Sequence, residues 1–312
     1  MAAAAAGPGA IQPGVTRVGF LGTGVMGSPM AGHLLKAGYS VTVHTRNKDK
    51  AETLLQQGAV WGASPAEVAA SSDVLCLMLG FPADVKMVTD ACLPVMRPGA
   101  VLVDFTSSAP ALSREIAAVA SARGCFALDA PVTGGDVGAR EARLSLLCGG
   151  EPAVFDAMQP LLKLLGTPHL LGGPGAGQSA KLGNQIAIAT CMVGLCESLL
   201  FVSQSGLDVD AWLAAVRGGA AGSRSMELYV PRLRVRDFAP GFYVKHFIKD
   251  LGLCIDECTR MKLSLPGLAM AHSLYVSVSA QNHGTGGELG TQALLLALES
   301  LNAGKVVPAR AS

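Results

Sequence analysis

Apolar positions along this chain follow two rhythms. Up to about residue 129, short continuous apolar runs alternate with segments in which apolar residues recur every three or four positions. The runs at 17–21 (R-V-G-F-L), 74–79, 101–104 and 125–129, with the alternating Y-S-V-T-V-H at 39–44 and a short piece at Val60, predict strands. The periodic segments at 28–37, 49–57, 65–71, 82–91 and 110–123 predict helices between them, the first stopped by Gly38. Strands regularly separated by helices predict an α/β fold with a doubly wound parallel sheet. Beyond Gly177 the rhythm changes. Residues 179–205 read as one long apolar helix, and the remainder as helices parted by glycine or proline turns. The expected organisation is a flexible tail at 1–16, a sheet domain at 17–177, a helical domain at 178–303 and a tail at 304–312. No fixed-period repeat is visible.

The turn after the first strand is Gly22-x-Gly24-x-x-Gly27, directly before a helix. In that setting the glycines allow a tight turn, close approach of backbone to a pyrophosphate and tight helix–strand packing, while the helix N-terminus attracts phosphate. A dinucleotide is therefore expected on a Rossmann domain, held by Gly22, Gly24, Val25, Met26 and Gly27. The end of the second strand bears on which one. An NAD enzyme places an acid there for the ribose 2′-hydroxyl, whereas this chain has His44-Thr45-Arg46-Asn47-Lys48. Thr45 and Arg46 accommodate a 2′-phosphate without like-charge repulsion, so NADP is favoured over NAD. Simple solvation of a helix end by Arg46 and Lys48 is the competing reading.

Half of the 312 residues are apolar, enough for two cored domains, and 24 basic residues nearly balance 23 acidic ones. No basic field gathers nucleic acid or an anionic membrane, which leaves a small molecule as the expected partner. The eight cysteines form no C-x-x-C pair and no ligand spacing with histidine, so free thiols in a reducing compartment, and no metal, are expected. The first sixteen residues, rich in alanine, glycine and proline, carry no positive charge before Arg17. They fit neither a secretory signal nor an arginine-rich transit peptide, and a cytoplasmic location is expected ahead of mitochondrion or plastid. The apolar stretch at 186–202 is interrupted by Thr190, Glu197 and Ser198 and falls short of the about 20 apolar residues of a bilayer span. It is expected as a buried helix whose surplus apolar surface serves a homo-oligomer interface.

The long helix opens with G-A-G-Q-S-A-K-L-G-N at 175–184, where Lys181 and Asn184, three apart, share a face that is otherwise small or apolar. Desolvation disfavours the charged form of a lysine and moves it toward the range a general acid/base needs. A lysine snorkelling from the helix end is the alternative. Four motifs stand in order along the chain: G-T-G-V-M-G, D-A-P-V-T-G-G at 129–135, G-x-G-x-x-x-K-x-x-N at 175–184, and K-D-L at 249–251. The chain resembles the β-hydroxyacid dehydrogenases, in particular plant-type 3-hydroxyisobutyrate dehydrogenase-like proteins, from Arg17 to about Asn302. The resemblance implies that Lys181 transfers the proton and Asn184 orients the substrate. It implies that Thr133, Gly134, Gly135 and Lys249 bind the substrate carboxylate, and that Leu79, Ser107 and Lys249 lie along the cofactor. The implied substrate is a small β-hydroxyacid or its semialdehyde, with NADPH-dependent glyoxylate or succinic semialdehyde reduction as the alternative. The family usually has serine where Thr133 stands, so the extra methyl leaves pocket size open.

Trp61 and Trp212 are expected to pack, Ser145 and Cys148 lack a base, and Asp250, directly after Lys249, is expected as a structural partner, since a helix N-terminus favours carboxylates. Imine reductases resemble this architecture with aspartate or tyrosine in place of the motif lysine, which Lys181 argues against. A decarboxylating sugar-acid dehydrogenase would need a larger C-terminal domain. A non-enzymatic cofactor-binding or oligomerising module would be signalled by loss of that lysine or by an added reader domain, and neither is seen.

Overall fold

Continuous apolar runs become the inner strands of a parallel sheet, because strands covered by helices on both faces have no polar side. In the computed structural model, which describes residues 7–309, the strands are β1 (Arg17–Leu21), β2 (Ser40–His44), β3 (Val60–Trp61), β4 (Val74–Leu77), β5 (Val101–Asp104) and β6 (Phe126–Asp129). They lie in the order β3-β2-β1-β4-β5-β6, every pairing parallel. Reversal of strand order between β1 and β4 makes the switch point at which such sheets bind ligands. The crossovers are α1 (Gly27–Lys36), α2 (Glu52–Gln56), α3 (Pro65–Ser71), α4 (Pro82–Cys92) and α5 (Pro110–Ala122). Three of them begin on proline, whose fixed φ and missing N–H suit a first helical position.

A second sheet escapes the apolar pattern. Here β7 (Val132–Thr133), β8 (Leu144–Cys148) and β9 (Gly166–Leu170) pair in that order, with α6 (Gly135–Arg140) and α7 (Pro152–Leu162) between them. Two residues of β7 are too few to show a period, and Pro168 inside β9 reads as a strand breaker. Backbone hydrogen bonds between Asp129 and Gly149 tie this sheet to the end of β6.

The chain divides between Lys181 and Leu182, inside the long helix α8 (Ala176–Gln204), rather than at residue 177. The second unit comprises the rest of α8, then α9 (Val209–Val216), α10 (Arg224–Leu233), α11 (Val244–Met261), α12 (Pro266–Gly284) and α13 (Leu294–Leu301). Asp208 and Ser223 cap α9 and α10 with side-chain oxygens. Met192, Cys196 and Leu199 of α8 bury in one apolar cluster with Phe247, Leu251 and Tyr275. The Tyr275 hydroxyl donates to the Thr291 carbonyl at 3.0 Å, which makes a large polar-tipped ring tolerable there.

Two expected tails are not tails where they are described. Ile11 and Thr16 are buried, Gly14 donates to the Gly38 carbonyl at 2.9 Å, and Thr16 closes a turn onto Gln12, so residues 11–16 pack against the sheet unit. Val307 is buried and donates its N–H to Glu299 at 2.9 Å, while Arg234 reaches the Pro308 carbonyl. A single branched apolar residue anchors each segment. The remainder of these expectations, residues 1–6 and 310–312, lies outside the described residues.

Candidate functional site

In the sheet unit, Gly22 takes a φ of +95° and donates to the His44 carbonyl at 2.9 Å. A Cβ there would stand 2.2 Å from the Met78 carbonyl oxygen and 3.2 Å from the Leu79 side chain, so the ends of β1, β2 and β4 converge. A Cβ on Gly27 would lie 1.9 Å from the Gly22 oxygen, whereas one on Gly24 would meet nothing within 4 Å. Beside them Thr23 Oγ1 is buried without a protein partner. The N-terminus of α1 has no acidic residue and no side-chain cap, which leaves its backbone donors for an anion. An open Gly24, an orphaned hydroxyl and an uncapped helix fit a pyrophosphate.

At the end of β2, Thr45 is half-buried and the Arg46 side chain is 86% exposed, 3.7 Å from Asp84. A pair so exposed holds Arg46 only weakly. His44 stacks against Trp61 at 5.1 Å between centroids, and the Lys48 ammonium lies 5.4 Å from the same ring. Trp61 therefore packs, and Lys48 is engaged on it. Leu79 donates to Thr106 Oγ1 at 2.8 Å, which brings Leu79 beside the segment carrying Ser107.

Thr133 pairs with Ser145 across β7 and β8, and Gly134, with φ +129°, turns the chain into α6. His33 of α1 donates through Nε2 to the Ala139 carbonyl of α6 at 3.0 Å, so the helices that follow the two glycine loops pack together. Cys148 is buried and its thiol is pushed up to about 12, mainly by desolvation, which makes it inert. Lys181 ends this unit and is only 8% exposed. One turn earlier, Asp129 and Gln178 bind the start of α8 to the strand ends, contacts with no motif-level signal beyond their place beside known glycines.

In the helical unit, Asn184 Nδ2 donates to Gln185 Oε1 at 2.8 Å, and Gln185 Nε2 donates to Asp250 Oδ2 at 2.6 Å. The Lys249 ammonium is 3.1 Å from Asp250 Oδ1. Asn184 and Lys249 are thus joined through Gln185 and Asp250, two residues the sequence did not single out as site residues. Asp250 is the structural partner of Lys249 that the sequence suggested, but not for the expected reason: α11 begins at Val244, so Asp250 is a fully buried residue of its second turn, compensated by Gln185 and Lys249 rather than by a helix end. Among the described residues no group of three or more histidine, cysteine, aspartate or glutamate side chains is arranged to hold a metal.

Known proteins extend this geometry. Residues 17–178 match the family described as the NAD binding domain of 6-phosphogluconate dehydrogenase. Residues 175–297 match the NAD-binding family of NADP-dependent 3-hydroxyisobutyrate dehydrogenase. "Probable 3-hydroxyisobutyrate dehydrogenase-like 1, mitochondrial" of Arabidopsis thaliana is 52% identical over 94% of this chain and 88% of its own length. The 2-hydroxy-3-oxopropionate reductase of Escherichia coli is 37% identical over 91% of this chain and 97% of its own. The structure of Mycobacterium tuberculosis 3-hydroxyisobutyrate dehydrogenase with L-serine superposes with a TM-score of 0.83 at 27% identity, covering 91% of this chain and 99% of that one. The mitochondrial designation of the Arabidopsis relative overturns the expected cytoplasmic location, which rested on the composition of sixteen residues alone. The motifs, the parallel sheet and these likenesses agree: the chain belongs to the β-hydroxyacid dehydrogenase family and is an NAD(P)-dependent oxidoreductase of the 3-hydroxyisobutyrate dehydrogenase type.

Proposed function

We propose that Lys181 is the proton-transfer residue in the interconversion of a small β-hydroxyacid and its semialdehyde. The observation that carries this is a lysine 8% exposed at the head of an apolar helix, in the same unit as the dinucleotide loop. The nicotinamide, when bound, accepts or supplies the hydride. During reduction the Lys181 ammonium gives a proton to the carbonyl oxygen as that oxygen gains negative charge. During oxidation the neutral amine takes the hydroxyl proton. Asn184 orients the substrate. In the sheet unit the backbone N–H groups of the 133–135 loop are assigned to the substrate carboxylate, glycine there allowing close approach; in the helical unit Lys249 is assigned a substrate-binding role. Gly22, Gly24, Val25, Met26 and Gly27 hold the pyrophosphate, with Leu79, Ser107 and Lys249 along the rest of the cofactor.

The Thr133 methyl bears on substrate size, since one such group changes binding by about 1–3 kcal/mol. Purified protein assayed on 3-hydroxyisobutyrate, glyoxylate and succinic semialdehyde is expected to turn over 3-hydroxyisobutyrate with the highest kcat/KM. A clear preference for glyoxylate or succinic semialdehyde would transfer the assignment to that reductase.

NADP is the preferred cofactor in this reading, because Thr45 and Arg46 stand where an acid would select NAD. Arg46→Ala is expected to weaken NADPH by about 1–3 kcal/mol, the scale of a charge-assisted hydrogen bond, and to leave NADH nearly unchanged. Fluorescence titration of both cofactors measures this, and a wild-type protein that prefers NAD refutes it. Self-association is proposed through the outer face of α8, where Phe201 is 72% exposed. Light scattering that finds a monomer at micromolar concentration sinks that part.

A further inference from the structure

Asp129 takes no part in the assignments above, yet both of its oxygens are committed to the first turn of α8 and the glycine just before it. Oδ1 accepts the N–H of Gly175 at 2.7 Å and Oδ2 that of Gln178 at 2.8 Å. These N–H groups belong to a helix start, where four backbone donors lack partners and the dipole favours negative charge. Burial pushes this carboxyl above its ordinary range, and the same backbone donors pull it back.

Close backbone contact accompanies the charge. A Cβ on Gly177 would lie 2.2 Å from the Leu147 oxygen and 2.6 Å from the Asp129 oxygen. A Cβ on Gly149 would lie 2.6 Å from the Gly177 nitrogen. Glycine on both sides lets the helix rest directly on the strand ends. Gln178, fully buried, completes the seat: its Oε1 accepts the N–H of Ser108 at 2.8 Å and its Nε2 donates to the Thr106 carbonyl at 2.8 Å. Both groups it engages lie on the loop after β5 that also binds the Leu79 N–H. Links from the ends of β5, β6 and β8 therefore meet in one helical turn.

Lys181 follows Gln178 by three residues and Gly177 by four, the spacing that stacks side chains on one helix face. We propose that Asp129 and Gln178 are positioning residues, which fix the first turn of α8 on the strand ends and through it set where the Lys181 ammonium stands. This inference rests on the reading of Lys181 as the proton-transfer residue. Proton transfer is sensitive to such placement, since a displacement of about 1 Å can lower a rate about 10²-fold. The amide of Gln178 matters more than its bulk, because methionine would fill the space but leave the Ser108 N–H and the Thr106 carbonyl unpaired.

The test uses Gln178→Met in the full-length protein, alone and combined with Lys181→Ala. Turnover of 3-hydroxyisobutyrate is followed with NADP⁺ and NAD⁺, and that of glyoxylate and succinic semialdehyde with NADPH and NADH. Melting temperature, NADPH affinity and hydrogen exchange of residues 173–183 are measured in parallel. Expected are a fall in kcat of about tenfold or more, unchanged NADPH affinity and faster exchange in the first turn of α8. In the Lys181→Ala background Gln178→Met should lower the residual rate by less than about twofold, since a residue acting through Lys181 has nothing left to position. Asp129→Asn, which keeps shape but loses the charge and one acceptor, should lower kcat in the same direction with the fold retained. An equal loss with and without Lys181, or a lowered melting temperature with normal kcat, means a purely structural role and overturns the proposal. Near-normal turnover of Lys181→Ala itself overturns the proton-transfer reading and this inference with it.

Discussion

Lys181→Ala is expected to lower turnover by about 10²–10⁴-fold, the range a positioned acid/base contributes, while NADPH affinity stays close to that of the wild type. The loss should appear in kcat rather than KM, because the lysine acts on charge that develops only as the substrate oxygen changes protonation. Lys181→Met separates chemistry from packing, since the buried stem of a lysine contributes apolar contacts that methionine retains. The two variants should therefore be almost equally slow and differ mainly in melting temperature. Lys181→Arg should be no better, because a guanidinium does not give up its proton near neutral pH. A small primary amine added to Lys181→Ala is expected to restore part of the rate. If Lys181→Met turns over at near wild-type speed, the proton moves by another route and the central assignment is wrong.

The second large effect lies in the glycine loop, where two alanine substitutions should fail in different ways. A Cβ on Gly27 would stand 1.9 Å from the Gly22 carbonyl oxygen, a backbone atom that cannot swing aside. Gly27→Ala must push α1 off the loop, so a lower melting temperature and loss of dinucleotide binding are expected together. At Gly24 the protein offers the added methyl nothing within 4 Å. Gly24→Ala should fold with an unchanged melting temperature without cofactor, but bind NADPH at least about tenfold more weakly, because the methyl enters the space the pyrophosphate needs. The measurement is a thermal shift with and without NADPH, since a ligand that binds only the folded state raises stability in proportion to its affinity. Equal stabilisation of wild type and Gly24→Ala by NADPH would falsify the placement of the pyrophosphate over Gly24.

Much of the site was legible where chemistry is carried by residue type at fixed spacing. The glycine fingerprint needs no distant partner to be recognised, because its three glycines answer to the backbone of one turn and one helix. A cation in an apolar helix left acid/base and snorkelling readings of Lys181 both open, and its motif favoured the first; the structure leaves it 8% exposed. Asp129 and Gln178 were not legible, although both sit inside the recognised motifs, since their partners are Gly175, Ser108 and Thr106, far along the chain or on another element. Asp250 was read as a partner of Lys249, as it is, but its burial and its second partner Gln185, 65 residues away, were not visible.

By itself the sequence determined the alternation of strands and helices, the parallel sheet, the dinucleotide loop and the place of a lysine in the first turns of an apolar helix. Each of these is written in local period or in a motif spanning one or two turns, so neighbouring residues suffice to specify it. Only the tertiary structure decided the rest. Residues 11–16 and Val307 pack because a surface elsewhere in the chain receives them, the second sheet exists because β8 finds β7 and β9, and the head of α8 is seated by strand ends that come from distant positions. Burial and hydrogen-bond partnership are properties of what surrounds a residue after folding, and a linear pattern carries them only when the partner lies within a few positions.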